Sequence, residues 1–171
     1  QICPKRCGAL GGGQVVSREE SAARIELALK SRRSDDFFII ARTDAKGAIG
    51  FDEAIERGRI YAAAGADAIM IEGLDNLDEI KRVVDSIDSP ILFNIFERSK
   101  EEAYNVRELE AIGVKIIINC LTSTMYSAAV LKHMMETFKE TGTTESFVDG
   151  MLSMKEYTHL LGIEREMEIL G

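Results

Sequence analysis

The sequence predicts an α/β fold built on a parallel sheet. Short apolar runs alternate with segments of helical periodicity, and this alternation repeats four times within 171 residues. The runs are too short for helices and too uniformly apolar for half-exposed strands, which is typical of strands buried on both faces. Consecutive strand and helix units of this kind form parallel sheets with right-handed crossovers. We therefore expect a parallel sheet of at least four strands.

The first predicted unit begins after Ser17, a good N-cap residue that forms a capping-box pattern with Glu20. The helix is expected to run to about Arg32. Its inner apolar face is predicted to comprise Ala22, Ile25, Leu27 and Ala28. The apolar run at 37–41 is the first predicted strand, and it leads into Arg42-Thr43-Asp44-Ala45.

The other units follow the same pattern. A helix over 52–64 follows a glycine-containing loop, and Gly65 is expected to end it, because glycine readily adopts the left-handed conformation. The remaining predicted elements are strands at 66–71, 91–93 and 114–119 and helices at 77–86, 100–112 and 123–141. Residues 1–171 are predicted to form a single domain. It ends in a helical extension at 142–171, with a linker at 142–150 and one or two helices at 153–170.

Composition restricts the classes of partner. The chain has 21 Lys and Arg against 29 Asp and Glu, a net charge of -8 that argues against nucleic acid and anionic membranes. No window has the roughly 20 apolar residues that would cross a bilayer, and we expect no signal peptide. Three cysteines without metal-like spacing favour a reducing compartment, the cytoplasm or a mitochondrial matrix. We expect small molecules and other proteins as partners.

Polar residues occur where the predicted strands end. They are Arg42, Asp44, Glu72, Asn94 and Cys120. Parallel α/β folds carry their chemistry at this edge, so we expect these side chains to converge. A guanidinium suits a carboxylate or phosphate, Glu suits a hydroxyl or a metal-bound water, and Asn suits a carboxylate or carbonyl. For Asp44 we favour a bracing role, as an orienter of Arg42 or of the loop.

A basic, glycine-rich segment precedes the first helix. Its core, Pro4-Lys5-Arg6-Cys7-Gly8, places a thiol next to two cations that favour the thiolate form. Glycines at 11–13 give the backbone freedom to bend. Cys7 is therefore a candidate acid or base. The alternative is an idle cysteine in a flexible leader, and these residues alone leave both interpretations open.

Three motifs resemble the isocitrate lyase and phosphoenolpyruvate mutase superfamily, above all its methylisocitrate lyase and carboxyphosphonoenolpyruvate mutase branch. They are the segment at 4–8, the segment at 40–45, and the stretch from Ala64-Gly65-Ala66-Asp67-Ala68 to Ile71-Glu72-Gly73. The resemblance covers essentially the whole chain. It implies a (β/α)8 TIM barrel, to which this chain contributes a mobile active-site loop at 1–16 and strands five to eight with their helices. Since Gln1 falls within a predicted loop, we expect an N-terminal portion that precedes it.

The resemblance also implies a function, that of a Mg2+-dependent carbon–carbon lyase. Such an enzyme cleaves a 2-hydroxy di- or tricarboxylate, similar to 2-methylisocitrate or dimethylmalate, into a 2-oxo acid and a second carboxylate. Cys7 matches the loop thiol that protonates or deprotonates the succinate-like carbon when the loop closes. The implied substrate-binding residues are Arg6, Gly8, Arg42, Glu72 and Asn94. Of these, Arg42 matches the arginine that binds the substrate carboxylate, while Glu72 and Asn94 match residues that hold substrate and metal-bound water.

Two other functions remain open for the same scaffold. One is a phosphoenolpyruvate or carboxyphosphonoenolpyruvate mutase, or an oxaloacetate or phosphonopyruvate hydrolase. The other is a non-catalytic paralogue or fragment, because this chain has Ala9 where the family usually has His. The direct Mg2+ ligands are expected in the first half of the barrel, so no metal ligand is assigned here. The family also implies a homotetramer, a dimer of dimers with helix exchange at 123–141.

Overall fold

The computed structural model describes residues 1–8, 11–96, 103–163, 165 and 169. The chain divides into two compact units, Gln1–Thr122 and Ser123–Gly171. The first unit holds the sheet and the loop that precedes it. No helix in the described ranges is long and apolar enough to cross a membrane.

The first unit alternates helices with strands, as the sequence predicts. Its elements are α1 (Arg18–Ser31), β1 (Ile40–Thr43), α2 (Ala45–Ala48), α3 (Phe51–Ala64), β2 (Ala68–Ile71), α4 (Leu77–Ser86), β3 (Ile91–Ile95), α5 (Val106–Ala111) and β4 (Ile116–Asn119). The strands pair in parallel in the order β1-β2-β3-β4. The predicted parallel sheet is therefore confirmed. The described residues form an open four-stranded sheet, and a closed barrel is not shown.

Helix ends follow the local chemistry of the sequence. The Ser17 hydroxyl accepts a hydrogen bond from the backbone N–H of Glu20 at 3.1 Å, which caps α1. Asn76 caps α4 in the same way, with its side chain accepting from the N–H of Glu79 at 2.9 Å. Gly65 ends α3 with a φ of 100°, a left-handed conformation that favours glycine. These caps place the helix boundaries close to the predicted ones.

The first strand begins later than predicted. β1 starts at Ile40, and the side chains of Phe37 and Phe38 are 65% and 53% exposed. The N–H of Phe37 donates to the carbonyl of Ser34 in a turn, and the N–H of Ile39 donates to the Asp67 carboxylate at 2.7 Å. These backbone groups therefore have partners other than a neighbouring strand, and the prediction that Phe37 and Phe38 lie in a buried strand is wrong.

The inner face of α1 also differs from the prediction. Leu27 and Ala28 are exposed, whereas Ser21 is buried and Ile25 is partly buried. Residues four apart lie on one side of a helix, so the buried face follows Ser21, Ile25 and Leu29. The packing of α1 against α3 determines which face is buried. The apolar residues of the helix alone did not identify that face.

Asp67 ties the beginning of the sheet together. It lies just before β2, and its carboxylate accepts hydrogen bonds from the N–H of Ile39 at 2.7 Å and from Arg32 Nη1 at 3.1 Å. The hydrogen bond from Ile39 is the main cause that lowers the pKa of Asp67, with Arg32 adding to it against the effect of burial. Asp67 therefore joins the amino ends of β1 and β2, at the edge opposite to the candidate site.

The core lies between the sheet and the helices α3 and α4. Its completely buried members include Ile69 of β2, Ile80 and Val83 of α4, and Leu109 of α5. Apolar side chains on the helix faces cover the strands, and burying each large aliphatic side chain contributes about 1.5 to 3 kcal/mol. The strand ends are thereby held in place on a packed layer.

Two predicted segments differ in detail or extend beyond the described residues. The helix expected at 100–112 is observed as α5, with Asn105 as its N-cap. Residues 97–102 lie outside the described residues. In the second unit, the predicted linker contains a 3-10 helix at Glu145–Gly150, and several positions after Ile163 are likewise outside the described residues.

The second unit contains the long helix α6 (Thr122–Thr141) and the short helix α7 (Met154–Leu160). Ser153 and Glu156 form a complete capping box at the start of α7. None of the residues of α6 is buried. Its large exposed apolar side chains are Met125, Tyr126, Val130, Leu131, Met135 and Phe138. Whether the two units belong to one domain stays a prediction.

A charge network joins α1 to α3. The Glu53 carboxylate accepts hydrogen bonds from Arg18 Nε at 2.9 Å and from Arg57 Nε at 2.9 Å, and Arg57 is buried. The hydrogen bond from Arg18 is the main cause that lowers the pKa of Glu53. Burial opposes it, the hydrogen bond from Arg57 adds to it, and the pKa falls to about 2. The folded state therefore favours the ionised carboxylate.

We expect Glu53→Gln to destabilise the fold at neutral pH by about 1 to 2 kcal/mol, since hydrogen bonds to a charged group are lost. The pKa of Glu53 is lowered, so its contribution is fully present above the ordinary value of 4.5 and disappears as pH falls through about 2. Urea unfolding at neutral pH and near pH ~3 measures this effect. The difference between the unmodified protein and the variant should shrink at the lower pH. Glu56→Gln, which alters an exposed pair with Arg59, is the control, and equal behaviour of both variants would contradict the prediction.

Candidate active site

The parallel register brings three predicted site residues to one edge of the sheet. Arg42 lies in β1, Glu72 follows the last residue of β2, and Asn94 lies near the end of β3. Thr43 is paired with Ile71, and the N–H of Glu72 donates to the carbonyl of Thr43 at 3.0 Å. Because parallel strands all point the same way, residues from different strand ends meet at this edge.

Arg42 is held by two carboxylates. Its Nε and Nη2 donate to the two Asp44 oxygens at 3.1 and 2.8 Å, and Nη2 lies 3.3 Å from Glu72 Oε2. The Asp44 hydrogen bonds raise the pKa of Arg42, against the effect of burial and with help from the Glu72 charge. Burial by itself would raise the pKa of Asp44, but hydrogen bonds from Arg42 and Gln1 lower it overall. Asp44 is thus a carboxylate that orients the Arg42 guanidinium.

Two buried oxygens at this edge have no hydrogen-bond partner among the described residues. They are Oε2 of Glu72 and Oδ1 of Asn94. Glu72 Oε2 is near Arg42, but the two groups are not aligned for a hydrogen bond. An unsatisfied buried acceptor costs about 1 to 3 kcal/mol, so such atoms mark places where a ligand or water would donate hydrogen bonds.

The loop backbone rests directly on this charge cluster. A Cβ atom at Gly8 would lie 2.8 Å from Arg42 Nη2 and 2.9 Å from Glu72 Oε1, so a side chain there would require the loop or these two side chains to shift. The loop is also tied at its base, because Gln1 Nε2 donates to Asp44 at 2.9 Å and Gln1 Oε1 accepts from the N–H of Arg6 at 2.8 Å. Gly8 is therefore the point at which the loop covers the strand ends.

Two adjoining cavities lie under and beside the loop, and Glu72 and Gly8 line both. The smaller has a volume of about 90 Å3 and is lined by Asn94 together with the apolar side chains of Leu74, Phe93, Phe96 and Tyr104. The larger has a volume of about 320 Å3 and is lined by Cys7, Asp44, Lys46 and Asp75. The exposed thiol of Cys7 thus shares a cavity with the Glu72 carboxylate.

Only some of the predicted site residues line the two cavities. Cys7, Gly8, Glu72 and Asn94 line the two cavities. Arg42 lines neither cavity, but it contacts Glu72 and lies next to Gly8. The Arg6 guanidinium lies instead beside Gly12, and Arg6 lines neither cavity. Cys120 also lines neither, since its Sγ lies 3.7 Å from the carbonyl oxygen of Ile95. Ala9, where the family pattern has His, lies outside the described residues.

The structure adds residues that sequence reasoning missed. Lys46 and Asp75 line the larger cavity, and Tyr104 packs edge-on against Phe93 with ring centroids 5.0 Å apart at the smaller one. Lys46 and Asp75 follow the two strand-end motifs within two residues, Lys46 in α2 and Asp75 in the segment between β2 and α4, so their places after β1 and β2 could have indicated them. Tyr104 is far along the chain from any motif, and no sequence signal points to it.

The donor set at the site suits Mg2+ only in part. Glu72 and Asn94 supply oxygen atoms, the ligand type that Mg2+ prefers, and one oxygen of each is buried without a partner in the described ranges. Within those ranges, no group of three or more His, Cys, Asp or Glu residues could hold a metal ion. Glu72 and Asn94 would therefore hold Mg2+ only together with water, substrate or further groups.

The chain is similar to known enzymes over most of its length. The sequence model of the phosphoenolpyruvate phosphomutase family matches residues 6–141. A 2,3-dimethylmalate lyase from Eubacterium barkeri is 36% identical over 169 residues, which cover 99% of this chain and 58% of the relative. The chain thus spans little more than half the length of this curated relative.

Solved structures show the same likeness. An oxaloacetate acetylhydrolase in complex with the inhibitor 3,3-difluorooxaloacetate superposes with a TM-score of 0.88 at 31% identity, covering 99% of this chain and 57% of that one. A phosphonopyruvate hydrolase complex with oxalate and Mg2+ superposes with a TM-score of 0.74 at 26% identity, covering 91% and 56%. The α/β fold of the described residues therefore agrees with these structures.

We expect Gly8→Ala to displace the loop, because the added methyl group would overlap Arg42 and Glu72. Limited trypsin digestion after Lys5 and Arg6 measures this, since a displaced loop is cleaved faster than one held against Arg42 and Glu72. Cleavage of the variant should be several-fold faster than cleavage of the unmodified protein. Gly13→Ala is the matched control, since its Cβ would meet the nearest atom, in the Gln1 side chain, at 3.4 Å. Equal cleavage rates in both variants would show that Gly8 does not seat the loop.

Proposed function

We propose that the protein is a Mg2+-dependent carbon–carbon lyase. The chain belongs to the phosphoenolpyruvate phosphomutase family, within the isocitrate lyase and phosphoenolpyruvate mutase superfamily, and this membership is the basis of the proposal. Its substrate is a 2-hydroxy di- or tricarboxylate of the 2-methylisocitrate or dimethylmalate type. The products are a 2-oxo acid and a second carboxylate. The similar lyase named above acts on 2,3-dimethylmalate, which supports this substrate class.

One observation carries the proposal. The loop that contains Cys7 and Gly8 lies against the Arg42 and Glu72 side chains, so the Cys7 thiol and the Glu72 carboxylate share one cavity, and the Arg42 guanidinium lies 3.3 Å from that carboxylate. Cleavage of a carbon–carbon bond next to a hydroxyl needs anion binding, stabilisation of the hydroxyl and a proton donor for the carbon that leaves. These three side chains have the matching chemistry.

Arg42 binds the substrate through a carboxylate in this mechanism. Asp44 occupies Nε and Nη2 of the guanidinium and fixes its plane, so the remaining N–H groups have a set direction. A fixed guanidinium can donate paired hydrogen bonds to a carboxylate, which a lysine cannot reproduce. Arg6, also a candidate substrate contact, would need the loop to adopt another arrangement than the one described.

Glu72 and Asn94 hold the hydroxyl end of the substrate. Their buried oxygens are acceptors without partners among the described residues, and a substrate hydroxyl or the water of a metal ion is a suitable donor. Mg2+ would stabilise the negative charge on the oxygen of the forming 2-oxo acid. The expected direct ligands of Mg2+ belong to the first half of the barrel, beyond this chain.

Cys7 completes the reaction as the acid. When the hydroxyl proton passes to a base, the C–O bond becomes a carbonyl and the carbon–carbon bond breaks. The bonding electron pair then moves to the carbon next to the departing carboxylate, and the Cys7 thiol gives its proton to that carbon. The loop at Gly8 covers the strand ends, and such a cover excludes water that would otherwise protonate the intermediate without control.

A hydrolase of the same scaffold is the second candidate. The high structural similarity to an oxaloacetate acetylhydrolase favours it, because that enzyme is 31% identical to this chain. Both reactions break a carbon–carbon bond, but the hydrolase acts on a 2-oxo acid and consumes water. A mutase would instead form a carbon–phosphorus bond, so the products separate all three reactions.

The whole protein is proposed to be a homo-oligomer, a dimer of dimers that exchanges α6 between subunits. The exposed apolar side chains along α6 support this, because a large apolar surface on a helix is normally covered by protein. Cys3, Cys7 and Cys120 are all free thiols, which is compatible with a reducing compartment such as the cytoplasm.

We expect the intact protein to cleave dimethylmalate or 2-methylisocitrate in the presence of Mg2+. Removal of divalent ions with a chelator should abolish turnover and Mg2+ should restore it, while Ca2+ should restore it poorly because its coordination is larger and less regular. Product analysis by mass spectrometry distinguishes the three reactions. The lyase gives a 2-oxo acid and a second carboxylate, the hydrolase gives acetate and oxalate, and the mutase gives a phosphonate. Absence of turnover on every substrate, with or without Mg2+, would overturn the proposal and favour a non-catalytic paralogue.

We expect Cys7→Ser to lower turnover about 100-fold or more, since a hydroxyl is a far weaker acid than a thiol and general acid catalysis contributes on this scale. Substrate affinity should change little, because Arg42 and Glu72 remain. Cys3→Ser is the matched control, as Cys3 is an exposed thiol in the same loop and does not line the cavity of Cys7. A similar small effect of both substitutions on steady-state turnover would exclude Cys7 as the acid.

A further inference from the structure

Lys46 makes several polar contacts at the rim of the larger cavity. Its ammonium group donates to the carbonyl oxygen of Gly73 at 2.6 Å and lies 2.7 Å from Glu79 Oε2, and it also pairs with the Asp75 carboxylate. The Lys46 side chain is only 12% exposed. A single lysine thus connects the segment after β1 with the segment between β2 and α4.

The charge of Lys46 is already balanced by its neighbours. Two carboxylates, Asp75 and Glu79, contact the ammonium group, and the Phe51 ring lies 5.9 Å from it. Burial lowers the pKa of Lys46, but the hydrogen bonds to Asp75 and Glu79 outweigh it, so the pKa is raised overall. A lysine in this state is a permanent cation with occupied donors. It therefore suits a bracing role better than the binding of an anionic substrate.

The braced segment begins next to Glu72. Gly73 is the following residue, with a φ of +80°, and its carbonyl is the group that Lys46 holds. Further along, the N–H of Asp75 donates to Glu79 Oε2 at 2.9 Å, and this oxygen also contacts Lys46. On its other side, Glu72 is attached to β1 through its own N–H and the carbonyl of Thr43.

We propose that Lys46 is a positioning residue, which fixes the backbone after Glu72 and so keeps the Glu72 carboxylate directed at the substrate. This inference rests on the proposed function, in which Glu72 holds the substrate hydroxyl. Lys46 does not touch the substrate. It acts through the carbonyl of Gly73 and through the Asp75 and Glu79 carboxylates, which would otherwise repel one another beside the cleft.

Two lysine variants and a control test the proposal in the intact protein. Lys46→Met keeps the length of the side chain and removes its charge, whereas Lys46→Arg keeps the charge. Lys81→Met is the matched control, because Lys81 forms a half-exposed pair with Asp85 on α4. Hydrogen exchange of the amides at 72–79 reports the bracing without any need for turnover.

We expect Lys46→Met to speed exchange at 72–79 roughly tenfold and to lower kcat by a similar factor, since hydrogen bonds to charged groups are lost. KM should change much less, because Arg42 and its Asp44 partner are intact. Lys46→Arg should restore part of kcat, and Lys81→Met should leave both measurements unchanged.

Two results would overturn the inference. Exchange at 72–79 that is the same in Lys46→Met and Lys81→Met would show that Lys46 holds nothing in this segment. Faster exchange with unchanged kcat would show that the brace has no consequence for Glu72. If the unmodified protein has no turnover at all, the proposed function fails instead, and the exchange rates still decide whether Lys46 braces the segment.

Discussion

The candidate site depends on the close approach of a loop backbone to a pair of charged side chains. Gly8 lies so near Arg42 and Glu72 that even a methyl group would overlap them. The approach is tolerable because Arg42 is itself neutralised by Asp44 and Glu72 and because the loop is anchored through Gln1. Together these contacts hold the loop that carries Cys7 beside the strand ends.

The two edges of the sheet differ in their polar contacts. At the amino edge, the Asp67 carboxylate accepts hydrogen bonds from the N–H of Ile39 and from the Arg32 guanidinium, while the buried hydroxyl oxygen of Ser89, just before β3, has no partner among the described residues. At the carboxyl edge, acceptors on Glu72 and Asn94 are buried without partners among the described residues. Unsatisfied buried groups are costly, so a protein retains them mainly where function requires them. The unpartnered oxygens of Glu72 and Asn94 belong to residues that line the two cavities of the proposed reaction, whereas Ser89 lines neither.

Much of the fold could be predicted because the signals are local. The limits of α4 at Leu77–Ser86 were predicted without error, since Asn76 caps it and apolar residues recur at helical spacing. The first strand and the inner face of α1 were wrong in part, as Phe37, Phe38, Leu27 and Ala28 are exposed. An apolar residue indicates that burial is favourable, but it does not specify which neighbour will cover it. That information lies in residues distant along the chain.

The sequence by itself determined the parallel α/β alternation, the family and the strand-end positions of Arg42, Glu72 and Asn94, because periodicity, caps and short motifs are properties of neighbouring residues. Only the tertiary structure decided that Gly8 lies against Arg42 and Glu72, that Arg6 and Cys120 lie away from the two cavities, and that Lys46 donates to the carbonyl of Gly73. These relations join residues up to several dozen positions apart. They arise when the parallel strands align their carboxyl ends and bring separate loops within hydrogen-bond distance.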